Sequence, residues 1–104
     1  MLARKGGIDI QTIMDVISES AIASPLIQYK LRAITTGDYT AAFTASQMLK
    51  DLELVERAAA ATSCNMPLIS SIGNVYRAAV ARGLGNQDFF VLTSGDAGPV
   101  AIAN

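Results

Sequence analysis

Apolar residues recur at helical spacing along almost the whole chain, and a start signal precedes each run. Asp9 stands before the first, where its carboxylate can accept from the free amides of an opening turn. Ile10, Ile13, Ile17 and Ala21 then follow at steps of three or four and share one face. Ser24-Pro25 opens a second helix, with Ser24 as cap and Pro25 at the first helical position, where its missing N–H costs nothing. Leu26, Ile27, Lys30, Leu31 and Ile34 carry it to about Thr35, and Gly37-Asp38 breaks it. Thr44-x-x-Gln47 has the form of a capping box. Behind it Met48, Leu49, Leu52, Val55 and Ala59 make a stripe, with Glu53 and Arg57 paired i, i+4 on a more exposed face. This helix should fray near Ser63-Cys64-Asn65. Pro67 opens a fourth, which buries Ile69, Ile72, Val75, Tyr76, Ala79 and Val80 and stops at Gly83. Asp88 caps a last short turn, Phe89 to Leu92. The tail, residues 93–104, contains Gly95, Gly98 and Pro99, has no period, and is expected to be loose. No segment reads as a strand. The expected fold is all-α, one domain over residues 1–104, a small bundle of four helices plus a short C-terminal turn.

Composition narrows the class. The 104 residues are one domain's worth of sequence. At 51% hydrophobic and 16% charged, the chain is too apolar for disorder. Net charge is −1, and eight scattered basic residues make no phosphate-tracking surface, so no nucleic-acid partner is expected. The longest small-apolar run, Ala58 to Ala61, falls far short of the ~18–20 residues that a membrane span needs. Without histidine, serine-type triads, imidazole acid–base chemistry and most zinc sites drop out, and no metal site is expected. The single Cys64 cannot form an internal disulfide, and Met1 to Gly7 lacks a signal-peptide core, so the expected location is the cytoplasm. Alanines clustered in the third and fourth helices give thin burial per residue, which points to a partner surface.

Candidate chemistry is sparse. Gly83-Leu84-Gly85 is a poor dinucleotide loop, because such a loop follows a strand and opens a helix, whereas these glycines close one. Cys64 has no neighbouring base to stabilise a thiolate and reads as inert. The run Lys50 to Arg57 is the densest cluster of charge. It is either a solvated helix face or a site: Lys50 and Asp51 lie in the second turn of a capped helix, next to a bend marked by Phe43. A cation on a rigid element beside a loop can hold a carboxylate or a phosphate.

From Phe43 onward a family pattern is visible. Phe43-Thr44-Ala45-Ser46-Gln47-Met48-Leu49-Lys50-Asp51-Leu52-Glu53-Leu54 is followed by Ala58, Pro67-Leu68, Tyr76-Arg77-Ala78-Ala79 and Gly83-Leu84-Gly85-Asn86-Gln87-Asp88. This resembles the C-terminal helical domain of the β-hydroxyacid dehydrogenases, the group of 3-hydroxyisobutyrate dehydrogenase and tartronate semialdehyde reductase. Their helical domain is of the 6-phosphogluconate dehydrogenase C-terminal-like kind. The resemblance implies an active-site cleft between this domain and an N-terminal Rossmann domain that binds NAD or NADP. It implies cofactor contact for Lys50 and substrate contact for Phe43 and Asp51. The reaction it implies is reversible hydride transfer between the nicotinamide C4 and a small 3-hydroxy acid or semialdehyde.

The sequence departs from the pattern in three ways. It has no Rossmann fingerprint, it lacks the glycine-rich helix start with the family's catalytic lysine and asparagine, and Phe90 stands where a small polar residue is usual. The expectation is therefore one wall of a site, with no catalytic residue in this chain, no cofactor held by it alone and no turnover by itself. In the family a long interdomain helix covers this domain's apolar faces. Uncovered, those faces imply a homodimer or higher oligomer, with exchange of helices as one route to it. A non-catalytic helical dimerisation module is the alternative, and an unrelated helical adaptor a third reading.

Overall fold

The computed structural model describes residues 2–94 and is helical throughout. In chain order the elements are α1 (Leu2–Lys5), α2 (Ile10–Ser18), α3 (Pro25–Thr36), α4 (Ala45–Ala61), α5 (Pro67–Ala81) and a 3-10 turn, Phe89–Thr93. Among the described residues the only strand-like feature is an isolated antiparallel bridge between Thr44 and Asp88. Local chemistry sets the starts. Asp9 Oδ2 accepts from the amides of Gln11 at 2.9 Å and Thr12 at 3.2 Å. Ser24 Oγ accepts from Ile27 N at 3.2 Å. Thr44 and Gln47 form the reciprocal box, Gln47 N to Thr44 Oγ1 at 3.1 Å and Thr44 N to Gln47 Oε1 at 2.9 Å.

Two boundaries differ from the reading of the sequence. The short α1 precedes the four expected helices; it is a single turn, closed by the Gly6 and Ile8 amides on the Leu2 and Ala3 carbonyls. The next helix, α2, ends at Ser18 and does not run on to Ala21. Ser18 and Ser20 turn their hydroxyls onto the Asp15 and Ile17 carbonyls at 2.8 and 2.7 Å, offering the backbone an alternative to further helix. Ala21 is exposed.

The main core lies between α4, α5 and the 3-10 turn, where Ala45, Leu52, Tyr76 and Val91 are buried together, with Tyr39, Met48, Leu49, Ile69, Leu84, Phe89 and Leu92 packed around them. Ala79 and Gly73 are buried on α5, and such small residues let its backbone approach α4 closely. Val55 and Ile72, expected inside, are exposed. The α4–α5 seam also carries ions: Arg77 Nη2 meets Glu56 Oε2 at 2.6 Å and its Nε lies 3.6 Å from Glu53 Oε1. Those carboxylates, the Glu56 hydrogen bond first, outweigh desolvation and hold the guanidinium above its ordinary pKa. Separately, α2 packs on α3, burying Met14 and Leu31, and α3 reaches the rest of the domain at the 3-10 turn. Thr93, where the loose tail was expected to begin, is tied in: its Oγ1 donates to Phe90 O at 2.7 Å and lies 3.1 Å from Tyr39 Oη. The rest of that tail, from residue 95, lies outside the described residues.

Candidate functional site

The glycine loop after α5 is folded back onto the start of α4. Gly83 takes the left-handed conformation, φ 83°, that ends α5. Gly85 has a different job, which the sequence did not show: it is buried, and a Cβ there would lie 2.5 Å from Ser46 Oγ. With glycine here the loop closes without displacing the Ser46 hydroxyl, which any Cβ would push aside. The approach allows Ala45 N to reach Gln87 O at 2.8 Å and Ser46 N to reach Gly85 O at 3.0 Å. One residue further, Asp88 N donates to Tyr39 O and Phe89 N to Phe43 O, both at 2.9 Å. Phe43 is thereby fixed just before α4, its half-buried ring meeting that of Phe89 edge-on at 6.0 Å and 82°.

Lys50 and Asp51 project from the second turn of α4. Their side chains are 65% and 49% exposed, and Lys50 Nζ lies 3.1 Å from Asp51 Oδ1. A neighbouring pair this open to water is loosely held and free to exchange partners. The structure thus brings Lys50 and Asp51 together on an open face and holds Phe43 against Phe89 at the start of the same helix. Cys64 is exposed in the turn after α4. Among the described residues, no cluster of His, Cys, Asp and Glu could hold a metal ion.

A second polar group is buried. Lys30 of α3 and Asp88 each keep only 2% of their surface, and Lys30 Nζ meets Asp88 Oδ2 at 2.6 Å. The same oxygen accepts from Ala42 N at 3.2 Å, while Asp88 Oδ1 accepts from Phe90 N at 3.1 Å and caps the 3-10 turn. The ammonium sits over three rings, 4.7 Å from the centre of Phe89, 5.2 Å from Tyr29 and 5.7 Å from Phe90. Burial pushes the Asp88 carboxyl up, but the Lys30 bond and the Phe90 and Ala42 amides outweigh it and hold the carboxyl below its ordinary value. Burial, and then the Asp88 charge, push the Tyr76 hydroxyl up; it donates to Phe89 O at 3.1 Å.

A depressed carboxylate stabilises the fold above its unfolded pKa, and that contribution disappears as pH falls through the lower folded value. The urea midpoint of the chain should therefore be flat from neutrality down to about pH 5 and fall below about pH 4. In Asp88→Asn the fall should be clearly shallower. A midpoint with the same acid dependence in both proteins would refute this role. Asp88 is the cap its position predicts, whereas Lys30, by spacing simply one of the positions that carry α3, is buried against it. The available signal was a lysine flanked by Ile27, Leu31 and Ile34 on an otherwise apolar face.

A capped helix bearing Lys-Asp-Leu, an aromatic fixed before it and a Gly-x-Gly-x-x-Asp loop closed over its start thus come together at one end of α4. Residues 1–93 match the family described as NAD-binding of NADP-dependent 3-hydroxyisobutyrate dehydrogenase, and the chain belongs to that family. L-threonate dehydrogenase of Escherichia coli K12 is 32% identical over 87 residues, 84% of this chain and 29% of that protein. The chloroplastic glyoxylate/succinic semialdehyde reductase 2 of Arabidopsis thaliana is 28% identical over 89 residues, 86% of this chain and 25% of the relative. The crystal structure of 3-hydroxyisobutyrate dehydrogenase from Salmonella typhimurium superposes with a TM-score of 0.81 at 29% identity, over 88% of this chain and 32% of that one. The chain thus spans about a quarter to a third of the length of these relatives. No helix among the described residues is long and apolar enough to cross a membrane.

Proposed function

We propose that this chain forms one wall of the active-site cleft of an NAD(P)-dependent dehydrogenase acting on a small 3-hydroxy acid or semialdehyde. Phe43 and Asp51 face the substrate and Lys50 the cofactor. What carries the reading is that Lys50, 65% exposed, stands on a rigid, doubly capped helix with Phe43 fixed at its start. An open ammonium on such an element suits an anionic ligand. When bound, a nicotinamide cofactor would supply hydride exchange at its C4. The contribution of this chain is to orient and neutralise charge with Lys50, to place an apolar wall with Phe43 and to hold a polar contact with Asp51. Acid–base work on the reacting hydroxyl falls to residues outside this chain, and the chain alone neither holds the cofactor nor turns over.

The test is a hybrid in which this chain replaces the 87 matching residues of the Escherichia coli L-threonate dehydrogenase. Turnover of L-threonate, 3-hydroxyisobutyrate, glyoxylate or succinic semialdehyde with NAD(H) or NADP(H) is the expected outcome. A folded hybrid that binds cofactor calorimetrically yet turns over none of them would leave the dimerisation module as the better reading.

Self-association belongs to the same proposal. Val16, Ile22 and Leu26 on the α2–α3 side and Leu68 on α5 are large, apolar and exposed, a surface that soluble proteins ordinarily cover. Light scattering at ~10 μM should report a homodimer or larger species, since a micromolar Kd needs about 8 kcal/mol of association energy. A monomer at that concentration would count against it. The cytoplasm is the compartment we propose, because the lone exposed Cys64 thiol suits reducing surroundings.

A further inference from the structure

The buried ion pair is an expensive way to join α3 to the 3-10 turn. Taking an ammonium and a carboxylate out of water costs more than their attraction returns, unless the remaining hydrogen-bonding capacity is also used. On the carboxylate it is used, by the amides of Ala42 and Phe90, while the ammonium has aromatic rings beside its one hydrogen bond, and the direction of those bonds is informative. Asp88 Oδ2, which holds Lys30 Nζ at 2.6 Å, also holds the amide of Ala42, the residue before Phe43. Phe89, the residue after Asp88, donates its amide to the Phe43 carbonyl at 2.9 Å and sets its ring against the Phe43 ring. Lys30 Nζ in turn lies 4.7 Å from the centre of that same Phe89 ring. Phe43 is therefore gripped at the amide before it, at its own carbonyl and at its ring. Every one of those grips leads back to Lys30 and Asp88.

We infer that Lys30 and Asp88 are positioning residues that fix Phe43 at the start of α4, and through it the substrate-facing wall of the domain. Phe90 places its ring 5.7 Å from the same ammonium. That the placement serves a substrate rests on the reading of Phe43 given above. The placement itself does not.

The experiment uses the 104-residue chain with fluorine-labelled phenylalanine, whose three rings give three signals. Lys30→Met/Asp88→Asn removes both charges and leaves no unpaired ion inside, so the helices are expected to persist by circular dichroism. In this variant the Phe43 signal should shift and broaden, and the Ala42 amide should exchange with solvent about tenfold faster, as its charge-assisted hydrogen bond weakens to a neutral one. Lys30→Arg, which keeps the charge, should restore both readings to near their original values. A folded double variant with unmoved Phe43 and Ala42 signals would overturn the inference. So would a double variant that fails to fold, which would make the pair a requirement of the whole fold, or a Lys30→Arg chain as displaced as the double variant. An inactive hybrid enzyme would leave all these signals unchanged, so failure of the proposed function is read separately.

Discussion

Asp88→Ala is expected to lower the unfolding free energy of the chain by about 3–5 kcal/mol, measured by urea denaturation at neutral pH. The substitution deletes the partner of an ammonium that keeps 2% of its surface, and two backbone amides, those of Ala42 and Phe90, lose their acceptor at the same time. The ammonium, buried with Asp88, is then left without its partner charge, which is the larger of the two losses. A small domain has in total about 5–15 kcal/mol to lose, so the variant should stand at the edge of folding. At roughly 4–8 °C per kcal/mol, its Tm should fall by about 12 °C or more. The exposed Lys50–Asp51 pair is the internal control, because open pairs of that kind contribute about 0–1 kcal/mol. A loss of under about 1 kcal/mol for Asp88→Ala would mean that the interior around Lys30 is wetter than the structure shows. The doubly neutral Lys30→Met/Asp88→Asn should be less damaging than Asp88→Ala, since it leaves no unpaired charge behind.

Lys50→Ala has the opposite signature, large in activity and small in stability. In the hybrid enzyme kcat/KM should drop on the order of 10²-fold or more, the scale on which a single preorganised charged or hydrogen-bonding group contributes to a transition state. The chain's own unfolding midpoint should hardly change. Lys50 is exposed, it lies inside α4 where alanine is the best helix former, and among the described residues its close ionic contact is the open one to Asp51. That separation makes the measurement clean, because a loss of rate cannot be blamed on a loss of fold. An unchanged kcat/KM would remove Lys50 from the site.

What the sequence revealed was whatever depends on neighbours within a turn. Asp9, Ser24-Pro25, Thr44 with Gln47, Pro67 and Asp88 each act on amides two or three residues away, so their helix starts could be read directly. The Lys50, Asp51 and Phe43 proposal was legible only through a family pattern, since nothing in their spacing excludes a plain solvated face. Two features lay beyond local reading. Lys30 and Asp88 are 58 residues apart, and a lysine among apolar neighbours does not announce which carboxylate will meet it. Gly85 looked like a second helix stop beside Gly83, because its constraint is the Ser46 hydroxyl of another helix. The overreach of α2 to Ala21 has a simpler cause: apolar spacing continued while two serine hydroxyls ended the hydrogen-bond ladder.

The closed start of α4 bears on how this domain can hold a charged ligand. A helix N-terminus is ordinarily a ready anion site, since its first amides have no partners within the helix. In α4 they are already engaged: Thr44 N by the Gln47 side chain, Ala45 N by Gln87 O, Ser46 N by Gly85 O and Gln47 N by Thr44 Oγ1. A dinucleotide phosphate gains no backbone cradle there. Any grip α4 has on an anion comes through side chains in open water, Lys50 foremost, and such a grip is screened within about 10 Å at 0.1 M salt. The domain's share of ligand affinity should thus fade with ionic strength, while its apolar wall at Phe43 is left intact.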